Sequence, residues 1–296
     1  MGSPDGWVDR EEKAEVSGRR ILLTGASGLL GRTIAPLLSS EGRLESPGLE
    51  RFDLKRVETI HETVAAVRPD LVVHLAAETR VDVCETEPAE AYRVNTLGTI
   101  HLAEACRRAG ARLVMMSTDY VFDGKSREPY REHQPTAPCN RYGRSKEEAE
   151  RACRTIVADS LVVRSSSLFG GPGPHFVASI RRAVREGRPL RVVDDQIQSP
   201  TWVGHLAPPL ARAALGDLHG ILHLSAEGEC SWFAFARAIL EEEGIEAECT
   251  PISSRASGRA APRPAYSVLD GELALSFGLE LPDWREGLRR HLEETG

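Results

Sequence analysis

Short unbroken apolar runs alternate along this chain with stretches whose apolar residues recur every three or four positions. The runs are Arg20-Ile21-Leu22-Leu23, Leu71-Val72-Val73-His74-Leu75, residues 112–116 and Ser160-Leu161-Val162-Val163. Because they lack an in-out alternation, they predict strands buried on both faces. The periodic stretches predict helices over 29–38, 58–67, 87–108 and 145–154, with Pro36 kinking or shortening the first. This βαβα rhythm predicts an α/β fold with a parallel sheet covered on both faces. Its weak point is 43–52, where a second strand is due but Glu, Pro and Gly intervene. Beyond Phe169-Gly170-Gly171-Pro172 the rhythm loosens. Helices are expected over 176–184, 204–215, 231–242 (N-capped by Ser231) and 284–292, strands over 190–193 and 221–224, and a loop over 253–264.

Composition narrows the function classes. With 296 residues, 41% hydrophobic and 27% charged, the chain suits one large or two closely joined globular domains. A net charge of −7 argues against a nucleic-acid surface. No apolar run is long enough to span a membrane. Residues 1–18 are polar and lack an apolar core, so they read as a flexible extension rather than a signal peptide. The six cysteines form no CxxC pair, which predicts reduced thiols and a cytoplasmic protein. His219 and His223 sit four residues apart on an expected strand, about 13 Å, too far to share an ion, and no metal is expected.

Two segments carry chemistry. Thr24-Gly25-Ala26-Ser27-Gly28-Leu29-Leu30-Gly31 lies between a strand and a helix. Three glycines spaced by three there suit a dinucleotide pyrophosphate: Gly25 for the turn, Gly28 for close approach, Gly31 for helix-strand packing. Asp53-Leu54 and Ala76-Ala77 follow strand-like segments and are expected to wall the two riboses. Arg32 and Arg43 are candidates for a 2′-phosphate, but each fits a solvated surface better, and the poorly formed second strand leaves NADH or NADPH open. The second segment runs from Ser117-Thr118-Asp119 to Tyr142-Gly143-Arg144-Ser145-Lys146. On a helix Tyr142 and Lys146 share a face. An ammonium about 4 Å from the phenol supplies roughly 4 kcal/mol at an effective dielectric near 20. Lowering the phenol by two or three units takes about 3–4 kcal/mol. Lys146 is therefore expected to make Tyr142 a usable acid, with Thr118 donating to the same carbonyl oxygen.

These motifs resemble the extended short-chain dehydrogenases/reductases, and within them the dTDP-4-dehydrorhamnose reductase family. The matching pieces are TGASGLLGR (24–32), DL (53–54), HLAAET (74–79), VNTLGT (94–99), STDYVFDG (117–124), YGRSK (142–146), VVDDQIQSPT (192–201), SWFAFARAI (231–239) and RPAYSVLD (263–270). The resemblance implies a Rossmann-type, doubly wound parallel sheet with a smaller C-terminal substrate domain. Residues 19–170 would form the NAD(P)-binding domain, with strands returning from about 188–225, and 171–296 mainly the substrate domain. It implies NADPH or NADH as cofactor and reduction of the C4 ketone of a nucleotide-linked 4-keto-6-deoxyhexose, dTDP-linked. Thr118, Tyr142 and Lys146 would be catalytic. Cofactor contacts would fall at Gly25, Ser27, Gly28, Leu29, Leu30, Gly31, Asp53, Leu54, Ala76, Ala77, Thr79, Tyr142 and Lys146, and substrate contacts at Thr118, Asp119, Ser167 and Gln196. A homodimer is compatible with it.

Two departures stand out. Family members carry Arg-Thr-Ser-Trp where this chain has Arg164-Ser165-Ser166-Ser167, so Ser167 replaces a ring that lines the sugar pocket. Some relatives place acidic residues at a metal-assisted dimer contact, whereas the run here is Glu186-Gly187-Arg188-Pro189-Leu190, a poor cation site. Two rivals remain at this point: a nucleotide-sugar epimerase of the same fold, and a non-catalytic NADP-binding regulatory subunit.

Overall fold

A computed structural model describes residues 18–295, so the expected extension over 1–18 lies outside them, Gly18 apart. The first half builds β1 (Arg20–Thr24), α1 (Leu29–Ser39), β2 (Arg43–Glu45), α2 (Val57–Val67), β3 (Leu71–His74), α3 (Val81–Thr86), α4 (Pro88–Ala91), α5 (Gly98–Ala109), β4 (Arg112–Thr118), α6 (Arg141–Ile156) and β5 (Ser160–Ser165). The second half adds β6 (Leu168–Phe169), α7 (Phe176–Arg185), β7 (Leu190–Val193), β8 (Ile197–Gln198), β9 (Thr201–Trp202), α8 (Val203–Leu215), β10 (Gly220–His223), β11 (Cys230–Ser231), α9 (Trp232–Glu242), β12 (Cys249–Ile252), α10 (Glu272–Ser276) and α11 (Trp284–Thr295).

Six strands form one sheet in the order β10-β5-β4-β3-β1-β2, every neighbouring pair parallel. The apolar runs serve two cores at once, because successive side chains leave opposite faces. Ile21, Leu23, Val73, Val114 and Val163 join the core built with Ile34 of α1 and Leu206 and Leu210 of α8. Leu22, Val72, Leu113 and Val162 join the opposite core, with Ile60 of α2, Leu102 of α5 and Cys153 of α6. The chain leaves β1 toward β2 and returns on the other side to β3. The β1/β3 boundary is therefore the switch point, and a crevice opens beyond the strand ends there.

The remaining strands form two-residue or four-residue pairs beside this sheet: β6 with β9, β8 with β11 antiparallel, and β7 with β12. β7, expected to return to the main sheet, pairs instead with β12; β10 is the strand that joins β5. Trp284 and Phe235 meet edge-to-face at 5.6 Å in the core of this region.

Several elements differ from the sequence expectation. α1 runs three residues past Pro36, which lies on the exposed side. The helix expected over 87–108 is a succession of α4, a π-helical turn at Tyr92–Leu97 and α5, and the short α3 precedes it. The weak second strand exists, as three residues paired to β1. Ser231 caps α9 as expected, accepting from Ala234 N at 3.0 Å. Among the described residues no helix is long and apolar enough to cross a membrane, and all six cysteines are free.

Candidate active site

Two adjoining clefts of about 470 and 640 Å³ open at the switch point and share Gly25, Ala76 and Ala77. Gly25 has φ +73°, and a Cβ there would lie 2.7 Å from Ala76 N. Only glycine takes that backbone without strain. A Cβ on Gly31 would sit 2.2 Å from Gly25 O, so the turn folds against α1 only because that side chain is missing. Gly28 stands at the N-terminus of α1 with no side-chain cap. The helix N-terminus is thus left open to an anion, with no side chain over it.

The first cleft brings together Gly25, Gly28, Leu29, Leu30, Gly31, Ala76, Ala77, Thr79, Thr118, Asp119, Tyr142, Lys146 and Ser167. The second holds Ser27, Arg32, Asp53 and Leu54. Arg32 donates from Nε to Ser27 O at 2.8 Å, which leaves its terminal nitrogens for the cleft. Arg43 is engaged with Glu45 at 3.5 Å and lines neither cleft. Glu45 closes β2 without lining the second cleft, so the carboxylate that commonly reads a ribose 2′-hydroxyl does not face it. Gln196, expected at the substrate, lines neither cleft. It is buried, and its amide donates to Ser254 Oγ at 2.7 Å.

The residues expected to be catalytic lie on β4 and α6. Thr118 ends β4, and its hydroxyl donates to Asp119 Oδ1 at 3.0 Å while accepting from Tyr120 N at 3.2 Å. α6 starts at Asn140, whose side chain accepts from Gly143 N at 2.8 Å. A Cβ on Gly143 would lie 2.0 Å from Tyr120 O, so this glycine lets α6 close on the strand end. Its role is invisible in a spacing motif.

Burial dominates the electrostatics. Tyr142 is pushed well above an ordinary phenol by desolvation, partly offset by a hydrogen bond with Thr118. Burial outweighs whatever the Lys146 ammonium contributes, and Lys146 is not among the leading influences on the phenol. Lys146 is itself brought down to about 8 by desolvation, with Glu150 pulling the other way. Glu150 forms its ion pair with Arg164, at 2.7 Å, and so leaves the ammonium to the cleft. A buried cation whose nearest carboxylate is paired elsewhere, beside a glycine cradle, fits a ligand that brings hydroxyls and negative charge.

Asp119 is the second buried charge. Ser166 Oγ and Ser267 Oγ donate to its Oδ2 at 3.0 and 2.5 Å. Desolvation raises it to about 6, against the three hydroxyl donors that hold it down. Asn95 joins two walls: it accepts from Glu78 N at 2.8 Å and donates to Ser145 Oγ at 3.0 Å. His74 is a satisfied core histidine between Thr24 (2.7 Å) and Thr99 (3.1 Å). Trp202 and Trp284 are core residues as expected. Trp232 is more: its ring lies tilted against Phe176, centres 4.5 Å apart, and also lines the first cleft.

The family model described as RmlD substrate binding domain matches residues 19–296. A dTDP-4-dehydrorhamnose reductase of Streptomyces griseus is 42% identical over 278 residues, 91% of each chain. The spore coat polysaccharide biosynthesis protein SpsK of Bacillus subtilis is 37% identical, over 93% of this chain and 97% of its own. Among solved structures, dTDP-4-dehydrorhamnose reductase from Bacillus anthracis in complex with NADP superposes with a TM-score of 0.90 at 36% identity. That match covers 93% of this chain and 99% of the other.

Proposed function

The chain belongs to the dTDP-4-dehydrorhamnose reductase family, and we propose that it reduces the C4 ketone of a nucleotide-linked 4-keto-6-deoxyhexose, with dTDP as the nucleotide. The observation that carries this reading is the meeting, in one cleft, of the Thr118 and Tyr142 hydroxyls, the Lys146 ammonium and the glycine turn. NADPH or NADH, the cofactor implied by the family, supplies a hydride to the ketone carbon when bound.

The turn at 25–31 and the N-terminus of α1 would hold the pyrophosphate, and Ala76 and Ala77 would leave room for rings against the backbone. The Lys146 ammonium would donate hydrogen bonds to ribose hydroxyls. Tyr142 is a neutral phenol at physiological pH because burial keeps it protonated, so it carries the proton the product needs. Tyr142 Oη would give that proton to the C4 oxygen as negative charge develops there on hydride arrival. Thr118 has one hydroxyl proton, given either to Asp119 or to an oxygen in the cleft. When it turns to the substrate it polarises the carbonyl beside Tyr142. Arg32 on the ribose side and the absence of a facing Glu45 favour NADPH over NADH. Ser167, at φ +46°, and Trp232 form the sugar-side wall.

The test is a panel of nucleotide 4-keto sugars with each cofactor. Stoichiometric loss of NAD(P)H absorbance with a dTDP-linked 4-keto-6-deoxyhexose is expected. Isomerisation without cofactor loss would assign an epimerase, and no turnover on any member would reject the enzyme reading.

A further inference from the structure

Away from the switch point, α2 and α5 pack side by side on the opposite core, and three donors converge between them. His61 of α2 and His101 and Glu104 of α5 each place one ligand atom within 4.8 Å of the other two. His101 and Glu104 are three residues apart and share a helix face, with Nδ1 and Oε2 separated by 3.8 Å. The two imidazoles meet edge-on, ring centres 6.4 Å apart. A second observation marks the site: His101 Nδ1 is shielded from solvent and has no hydrogen-bond partner. An orphaned buried nitrogen of this kind is uncommon and calls for a partner. All three residues are only half-buried, so an ion reaches them from solvent.

We propose that His61, His101 and Glu104 form a site for a first-row transition-metal dication of the Zn²⁺ class, clamping α2 to α5. Two imidazoles and a carboxylate suit that class, whereas Mg²⁺ and Ca²⁺ take oxygen donors. Tetrahedral zinc, with bonds of about 2.0–2.1 Å, needs donors about 3.3 Å apart. Side-chain rotation on two fixed helices closes the remaining gap. Three protein ligands leave a fourth position for water. Sequence spacing concealed the site because its halves are 40 residues apart.

The experiment uses the full chain without an affinity tag. Co²⁺ is titrated while its visible d–d absorption is read, and thermal unfolding is followed with and without Zn²⁺. One equivalent of Co²⁺ and a Zn²⁺-dependent rise in Tm are expected. In His61→Ala and His101→Ala the affinity should fall at least tenfold and the Tm rise disappear, with metal-free Tm close to that of the parent. Should either variant fail to fold, Glu104→Gln gives the same reading. Binding undiminished in these variants would put the ion elsewhere, on cysteine for instance. Neither outcome depends on turnover, so the reductase reading is unaffected. No spectral change at about 100 µM metal, a concentration that stabilises any site of micromolar Kd, would also overturn the proposal.

Discussion

Replacing Asp119 with Asn should make the protein more stable at pH 8 while making it a poorer catalyst. The carboxylate is buried at 2% exposure with no cation beside it. Its pKa of about 6, against 3.8 for an ordinary Asp, already includes the favourable hydroxyl bonds. A raised pKa means the native state holds a proton that the unfolded chain has released. Stability therefore increases as pH falls through 6 and levels off below about 4, once both states are protonated. The difference of roughly two units amounts to about 3 kcal/mol as an upper bound at pH 8. In Asp119→Asn the substituted amide would carry no charge to desolvate. Its oxygen would still accept from Ser166 and Ser267, while its NH₂ would donate to Thr118 Oγ1, which already accepts from Tyr120 N, so that two donors fill that oxygen's lone pairs and swing its O–H out of line with the cleft. Chemical denaturation of both proteins from pH 5 to 8 reads the stability term, and NAD(P)H oxidation reads the rate. The expected stability gain is largest at pH 8 and shrinks toward pH 5, with turnover down about tenfold to a hundredfold as Thr118 is re-aimed. A gain that does not vary with pH, or a variant less stable at pH 8, would refute the reasoning that desolvation dominates at this carboxylate.

Other residues give sharper, smaller tests. Gly31→Ala puts a Cβ against Gly25 O; backbone overpacking costs about 1–3 kcal/mol, so Tm should fall by several degrees and cofactor titration should show at least tenfold weaker binding. Arg32→Ala should raise the KM for NADPH about tenfold to a hundredfold, the worth of one charge-assisted bond to phosphate, and leave NADH nearly unchanged. With Lys146 brought down to about 8, its ammonium is lost as pH rises through that value. The kcat/KM profile should accordingly fall on its alkaline side near that pH, a limb that Lys146→Met should not show.

Much of this architecture was legible because buried parallel strands announce themselves. Leu71-Val72-Val73 must satisfy two cores, which apolar side chains do without needing buried hydrogen-bond partners. β2 was obscure for the converse reason: Arg43–Glu45 pairs with β1 through backbone while its side chains stay exposed or half-buried. The π-helical turn at 92–97 leaves no mark in apolar periodicity, yet it carries Asn95, which ties Glu78 to Ser145. At the site, the glycine turn and the Tyr142/Lys146 pair were readable from spacing. Their electrostatics were not. A Coulomb estimate between Lys146 and Tyr142 omitted the burial of both, and burial is the larger effect. Gly143 and Trp232 stayed hidden because their importance lies in what they approach, and that is set by tertiary packing. The bond from the Gln196 amide to Ser254, 58 residues away in sequence, was hidden for a similar reason.

The central claim is that Tyr142 delivers the proton in the cleft shared with the cofactor. Tyr142→Phe tests it most directly, with NADPH binding followed by fluorescence and turnover on the dTDP-linked 4-keto sugar followed by NADPH absorbance. The account predicts unchanged NADPH affinity and a rate lowered by about 10²–10⁴, the worth of a positioned general acid. Turnover equal to that of the parent protein would contradict it.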